Sequence, residues 1–294
     1  MYKRIIVPLD GSNLAELALP YAERLAGAFG SELILLLVSE PTESEHQHMQ
    51  QLYIEKMADL AKSNLKRKAA TAKAVILSGE PAREIVDYAE RNNVSLIIMA
   101  SHGRSGIMTW AIGSVVNKVL QRVSIPILLI RAKTPHTEAS TEKIFNRILI
   151  PLDGSELGEA ALPHIQELSN KLSTEVTLLQ VLAPGKHVHT IGGLNYVPFK
   201  EQHLESMKTE AMQYLEKVSK RLTGTKTITK YELRIGDAAH EIIRFADETS
   251  TSLIAMSTHG YSGVRQWIMG SVAQKILQAG SKPVLFVKAP GVKS

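Results

Sequence analysis

The sequence predicts an α/β protein built from two tandem, doubly wound domains, each with a five-stranded parallel sheet. Short apolar runs alternate with segments of helical periodicity, a pattern typical of parallel sheets covered by helices on both faces. The pattern is also duplicated, because Arg4–Ser12 (RIIVPLDGS) returns as Arg147–Ser155 (RILIPLDGS). A chain of 294 residues is long enough for two such domains, each with its own core.

The spacing of the repeats locates the domain boundaries and one insertion. Asp10 and Asp153 are 143 residues apart, whereas Gly103 and Gly260 are 157 residues apart. The second half therefore carries an insertion of 14 residues, the difference between these two offsets. We expect this insertion in a loop at 183–199 that is rich in Gly, Pro and His. The predicted units are a first domain at 1–132, a polar linker at 133–143 and a second domain at 144–294.

Each predicted strand is a short apolar run, as expected for parallel strands that are buried on both faces. Right-handed crossovers through helices would connect consecutive strands. The last strand is an apolar sheet edge that needs cover. The predicted strands of the first half are Arg4–Leu9, Leu33–Val38, Ala74–Leu77, Leu96–Met99 and Pro126–Ile130.

Helical periodicity fills the segments between these strands. Apolar residues recur at helical spacing from Leu14 to Leu25, and Ser12 or Asn13 can cap this helix. The segment 54–65 has one apolar face and predicts a long amphipathic helix. Pro81 can open the next helix, because the N–H that proline lacks would have no partner in a first turn.

The fourth strand leads into a stretch suited to anion binding. Gly103 is followed by nine residues and then by Gly113 and a helix start, and the spacing recurs at Gly260 and Gly270. Such a strand–glycine–helix junction presents backbone N–H groups to a phosphate. If the first and fourth strands are neighbours, Asp10 lies in the same crevice. Alone, the Asp10 segment also fits a turn followed by a helix cap; its recurrence in the second half favours a site.

Composition restricts the function classes. The net charge of +5 is spread along the chain and aromatic residues make up 5%, so neither a basic patch nor a base-stacking platform for nucleic acid is evident. Cysteine is absent, which excludes disulfides and thiolate metal sites. The longest aliphatic run, Leu33–Val38, is too short to cross a membrane. With no apolar signal region before the first strand, we expect a cytoplasmic protein.

Together these motifs resemble the universal stress protein family in its tandem, ATP-binding form. The resemblance covers nearly the whole chain and rests on the strand-end Pro-x-Asp-Gly-Ser, on Gly-Glu-Pro at 79–81 and on the two glycine loops. It implies a Rossmann-like, adenine nucleotide α-hydrolase-like fold. Nucleotide-binding members begin the loop with glycine, where this chain has Ala100 and Ser257. Both are small, so we expect the cavity to persist, although a positive φ is harder to hold there.

The resemblance implies a site for ATP, ADP or AMP in each half, with or without Mg²⁺. The N–H groups of Gly103 and Gly113 and the hydroxyl of Ser114 would hold the phosphates. Asp10 would lie near adenine and ribose or, through a divalent ion, the phosphates. The full implied set in the first half is Pro8, Leu9, Asp10, Val38, Met99, Ala100, His102, Gly103, Arg104, Gly113, Ser114 and Val115, with Val38 and Met99 lining the adenine slot. In the second half it is Pro151, Leu152, Asp153, Val181, Met256, Ser257, His259, Gly260, Gly270, Ser271 and Val272.

The predicted function is that of a nucleotide-binding, stress-response regulatory protein with little or no turnover. The first alternative is a slow ATPase or nucleotide-transferring enzyme, and the second is an interaction module with vestigial sites. No catalytic residue or resident metal ligand is predicted. The resemblance also implies pairing through the fifth strands, which would make the two halves an internal pseudo-dimer and leaves open whether two chains form a homodimer. Residues with weaker signals are Lys118 and Lys275 (a site or a solvated face), Trp110 and Trp267 (packing anchors), and His46, His48, His187 and His189 (loop histidines).

Overall fold

The fold is given by a computed structural model that describes residues 1–39, 44–65, 69–102, 112–131, 144–183, 201–222, 227–260 and 269–289. Its strands are β1 (Arg4–Leu9), β2 (Glu32–Ser39), β3 (Thr71–Ser78), β4 (Leu96–Ala100), β5 (Ile127–Ile130), β6 (Arg147–Leu152), β7 (Thr174–Leu182), β8 (Thr227–Ile235), β9 (Leu253–Ser257) and β10 (Val284–Val287). Its α-helices are α1 (Asn13–Glu16), α2 (Leu19–Phe29), α3 (Ser44–Asn64), α4 (Pro81–Arg91), α5 (Ser114–Arg122), α6 (Leu162–Lys171), α7 (Glu201–Arg221), α8 (Ala238–Glu248) and α9 (Ser271–Ala279). A 3₁₀ helix, Gly158–Ala161, precedes α6.

All ten strands belong to one sheet in the order β3-β2-β1-β4-β5-β10-β9-β6-β7-β8. Neighbouring strands are parallel within each half, which confirms the predicted fold class. The fifth strands of the two halves, β5 and β10, pair antiparallel, with Leu128 opposite Leu285. Every residue of both strands is buried, so the apolar edge that each half would expose alone is covered by the other half.

The side chains of the sheet divide between two apolar layers, one on each face. In β1, Ile5 and Val7 belong to one layer and Ile6 to the other, as the two-residue period of a strand requires. Each layer contains residues of both halves: Tyr21 of α2, for example, packs edge-to-face against Phe145, with ring centroids 5.9 Å apart. The core therefore continues across the junction between the halves.

The first predicted helix is divided in the structure. The periodicity from Leu14 to Leu25 predicts one helix, whereas α1 ends at Glu16 and α2 begins at Leu19. Pro20 explains the break, because its ring and missing N–H are tolerated in the first turn of a helix and not in the interior. Ser12 is the N-cap of α1, as predicted, and its hydroxyl accepts the N–H of Ala15 at 3.2 Å.

The remaining elements match the prediction closely and differ mainly in length. The edge strand β3 extends three residues beyond the predicted start, to Thr71, because it pairs with β2 along the full length of both strands. Pro81 does begin α4. The predicted linker lies outside the described residues, as does the predicted loop at 183–199 apart from Ala183. None of the helices that the structure describes is both long enough and apolar enough to cross a membrane.

Candidate functional site

A crevice forms in each half where the strand order reverses. β1 lies between β2 and β4, and β6 lies between β7 and β9. The connection after β1 leads to β2, whereas the connection after the adjacent β4 leads to β5 on the other side, and β6 and β9 are related in the same way. The loops after these adjacent strands therefore diverge and leave a crevice beyond their carboxyl ends. Asp10 follows β1 and Asp153 follows β6. The expected proximity of the first and fourth strands is therefore confirmed in both halves.

The crevice of the second half contains a cavity of about 220 Å³. All eleven second-half residues implied by the resemblance lie in its lining, from Pro151 to Val272. The lining combines aliphatic side chains with glycines, hydroxyl-bearing residues, Asp153 and His259. Lining residues that the sequence did not indicate are Gly158, Leu179, Ala238, Ile242, Thr258 and Ala273.

The amino terminus of α9 opens into this cavity. Gly270 is the N-cap, with an extended backbone, and its carbonyl accepts the N–H of Gln274 at 2.9 Å. The next three residues, Ser271, Val272 and Ala273, all line the cavity. Their N–H groups have no acceptor within the helix, because the first turn of a helix lacks preceding carbonyls. The positive end of the helix dipole lies at the same place, so this end of the cavity favours an anion.

The glycine before each helix donates its N–H to a carbonyl of the same half. The N–H of Gly113 is donated to the carbonyl of Ser101 at 3.0 Å, and that of Gly270 to the carbonyl of Thr258 at 2.9 Å. These bonds tie the loop back to the strand that precedes it and occupy the N–H groups that we had expected to bind phosphate. The groups left for an anion are those of the following turn, beginning at Ser114 and Ser271. Gly103 and Arg104 lie outside the described residues.

Asp153 also lines the cavity, and its carboxylate is held by close contacts. Its Oδ1 accepts the N–H of Ser155 at 3.0 Å and the hydroxyl of Ser155 at 2.6 Å. A Cβ added to Gly158 would lie 2.4 Å from Oδ1, and a Cβ added to Gly260 would lie 2.2 Å from Oδ2. The carboxylate thus fits between two glycines. Asp10 accepts the same two hydrogen bonds from Ser12, which caps α1, so the turn-and-cap interpretation applies to this segment, and the site interpretation stays a prediction.

A histidine next to the glycine loop is fixed by a hydroxyl in both halves. His259 Nδ1 is 2.9 Å from Oγ1 of Thr258, and His102 Nδ1 is 3.0 Å from Oγ of Ser101. Burial lowers the pKa of His259, and the positive charge of Lys288 lowers it further. His259 Nε2 is buried and has no hydrogen-bond partner among the described residues. Burial therefore favours the neutral imidazole, in which Nδ1 is already within hydrogen-bond distance of Thr258.

A tyrosine–glutamate pair lies near the aspartate in each half, and the sequence did not indicate it. The Tyr53 hydroxyl donates to Glu16 at 3.0 Å, and the Tyr214 hydroxyl donates to Glu159 at 3.1 Å. Burial and then the glutamate raise the pKa of each tyrosine, and the aspartate after the central strand contributes a smaller increase. The two glutamates share the offset of the aspartates and could have been found. The tyrosines do not, because Tyr53 and Tyr214 are 161 residues apart, which matches neither repeat offset.

The residues with weaker signals have structural roles where the structure describes them. Lys118 binds Glu80 at 3.0 Å and Lys275 binds Asp237 at 3.1 Å; both carboxylates cap the helix that follows β3 or β8. His46 and His48 are exposed on α3, so the prediction of a loop was wrong for this pair. No group of three potential metal-ligating side chains occurs in the part of the chain that the structure describes. Residues outside that part are His187, His189, Trp110 and Trp267.

These features define a class: a tandem, doubly wound α/β protein with a crevice at each switch point. Comparison with known proteins identifies the family. The family model for the universal stress protein family matches residues 1–131 and again 145–288. The chain therefore belongs to the universal stress protein family.

Individual relatives agree with this assignment. The universal stress protein YxiE of Bacillus subtilis is 31% identical over 153 residues, covering 49% of this chain and 100% of its own length. The universal stress protein Slr1230 of Synechocystis is 22% identical and aligns with 96% of this chain and 99% of its own length. A solved universal stress protein from Archaeoglobus fulgidus covers 98% of this chain and 99% of its own, with a TM-score of 0.71 at 19% identity, and so has the same fold.

Proposed function

We propose that the chain binds an adenine nucleotide, ATP in the first instance, in the crevice of each half. The observation that carries the proposal is the first turn of α9, where three successive residues with N–H groups unpaired by the helix line one cavity. A phosphate chain would accept hydrogen bonds from these N–H groups and lie at the positive end of the helix dipole. Ser114 and Val115 begin α5 in the same way in the first half.

The apolar part of the lining suits a planar base. Leu179, Val181, Ile242 and Met256 line the same cavity as the first turn of α9. Apolar walls combined with a few converging polar groups are typical of small-molecule sites. We therefore propose that the adenine contacts these side chains. Asp153, at the carboxyl end of β6, would accept hydrogen bonds from the ribose or base, or bind the phosphates through Mg²⁺.

We further propose a regulatory role with little or no turnover. His259 is the imidazole in the described lining, and its Nδ1 is already bonded to Thr258. Under this proposal the bound nucleotide is a signal that a protein partner reads, rather than a substrate. A slow ATPase predicts multiple turnovers that disappear when Asp10 and Asp153 are both replaced by alanine. The regulatory proposal predicts binding without turnover.

The pairing of β5 with β10 supports a further proposal, that the two halves act as an internal pseudo-dimer. Both strands are buried, and the Arg131 guanidinium next to β5 donates to the carbonyls of Leu277 and Gln278 at the end of α9. A homodimer of whole chains stays a prediction. Sedimentation velocity distinguishes the mass of one chain from that of two.

Isothermal titration calorimetry with ATP tests the nucleotide proposal. Ser114→Pro with Ser271→Pro removes one N–H from each helix start, and Ser114→Ala with Ser271→Ala is the matched control that loses only the hydroxyls. Proline is tolerated at these first helical positions, since the preceding glycines are extended. An N–H bound to a charged group contributes about 1.5–3 kcal/mol, so the proline pair should bind at least about tenfold more weakly than the alanine pair.

Two results would contradict the proposal. The first is the absence of heat with ATP, ADP and AMP in the wild-type protein. The second is equal affinity of the proline and alanine variants, because the backbone N–H groups would then not contact the ligand. Circular dichroism of both double variants establishes that the helices are retained before the affinities are compared.

A further inference from the structure

The two crevices are similar in the residues that line them, and they differ at a few positions. Matching the seventeen lining residues of the second half to the first through the repeat offsets gives the same amino acid at twelve positions. Most of the positions that are identical between the two halves are those implied by the family resemblance. The five differences, first half before second, are Ala15/Gly158, Pro81/Ala238, Ala100/Ser257, Ser101/Thr258 and Val116/Ala273.

The Val116/Ala273 difference lies at the helix start that would hold the phosphates. Both are the third residue of their helix, and both are buried. A Cβ added to Gly113 would lie 3.8 Å from Cγ2 of Val116, so this methyl group is next to the glycine turn. Helical side chains lean back over the preceding turn, and a β-branched side chain has little freedom to rotate away. Val116 therefore covers its N–H groups more than Ala273 does.

The Ala15/Gly158 difference acts at the aspartate. A methyl group at position 158 would collide with Oδ1 of Asp153 at 2.4 Å, whereas the first half carries such a methyl group on Ala15. The following turn differs accordingly: α1 starts at Asn13 in the first half, and a 3₁₀ helix starts at Gly158 in the second. At these two positions together, the second half carries three fewer side-chain carbon atoms than the first.

We infer that the two crevices are unequal and that the second half is the tighter site for ATP, with Val116/Ala273 as the determinant at the phosphate end. This inference rests on the proposed function. Phosphoryl groups are bulky and tetrahedral, and they need access to the N–H groups of the first helical turn. Ala273 leaves those groups accessible in the second half, and the γ-methyl groups of Val116 restrict them in the first.

Calorimetric titration with ATP of the wild-type protein and reciprocal variants tests this inference. Ala273→Val should weaken ATP binding at the tighter site about tenfold, and Val116→Ala should strengthen ATP binding at the weaker site by a similar factor. Ala279→Val makes the same substitution at the exposed end of α9, and Val119→Ala makes the same deletion one turn further into α5. Neither control should change the ratio of the two affinities.

The single proline variants show which half contains the tighter ATP site and which contains the weaker one. Ser271→Pro should weaken the tighter site, or the single site if only one is measurable, by at least about tenfold, and Ser114→Pro should weaken only the other site. Two equal sites in the wild-type protein, or an unchanged affinity in Ala273→Val, would overturn this inference and leave the proposed function intact. An absence of nucleotide binding would overturn both. If Val116→Ala does not fold, Ala273→Val decides the question alone.

Discussion

Replacement of Gly260 by alanine tests the position of the Asp153 carboxylate between Gly158 and Gly260. The new Cβ would lie 2.2 Å from Oδ2, whereas an ordinary contact begins near 3.4 Å, so the carboxylate must move by more than 1 Å. That movement strains the two hydrogen bonds from Ser155, which measure 3.0 and 2.6 Å. Overpacking of this kind costs about 1–3 kcal/mol.

A cost near the middle of that range would lower Tm by about 5 °C. Thermal unfolding without nucleotide, followed by circular dichroism, measures the change. Gly158→Ala should behave alike, because its Cβ would lie 2.4 Å from Oδ1. Gly27→Ala is the matched control: its Cβ would meet no atom within 4 Å, and alanine is the better helix former in α2. If Gly260→Ala has the same Tm as Gly27→Ala, the Asp153 carboxylate does not occupy the space between Gly158 and Gly260.

Three further predictions concern the contacts between and within the halves. Burial lowers the pKa of His164, whose Nδ1 is 3.0 Å from the Tyr2 hydroxyl, and the N-terminal charge lowers it further. The His164 imidazole is therefore protonated at higher pH in the unfolded chain than in the folded one, so the free energy of unfolding should fall as the pH decreases below 6.5. In urea titrations, His164→Asn should reduce this pH dependence, and the exposed control His46→Asn should not. Arg131→Ala should destabilise the chain by about 1–3 kcal/mol, because the last carbonyls of α9 lose their donor, and an unchanged urea midpoint would contradict the contact. Lys275→Ala should change stability by less than about 1 kcal/mol, because its ion pair with the α8 cap is exposed on both sides, and a larger loss would imply a role beyond that pair.

The sequence was sufficient for the fold because the duplication provides two independent copies of each signal. The recurrence of Asp10 as Asp153 and of Gly103 as Gly260 indicated which strand ends matter. The rule for switch points then placed the crevice. The division of the first helix at Pro20 was missed because apolar periodicity continues across it, although the proline itself was the available signal.

The hydrogen bonds of the site could not be predicted from spacing. The Gly113 N–H is donated to Ser101 only because the loop returns to the end of β4, which is a tertiary contact. Likewise, the contact of Gly158 with Asp153 depends on the turn after β6. Residue types and repeat offsets indicate candidate positions, whereas the identity of the unpaired donors requires coordinates.

A crystal structure of the chain grown with excess ATP tests the central claim most directly. We predict phosphate oxygens within about 3 Å of the N–H groups of Ser271, Val272 and Ala273, with the base against Val181 and Met256. Nucleotide bound elsewhere on the chain, or phosphates that contact only side chains while these N–H groups face solvent, would contradict it.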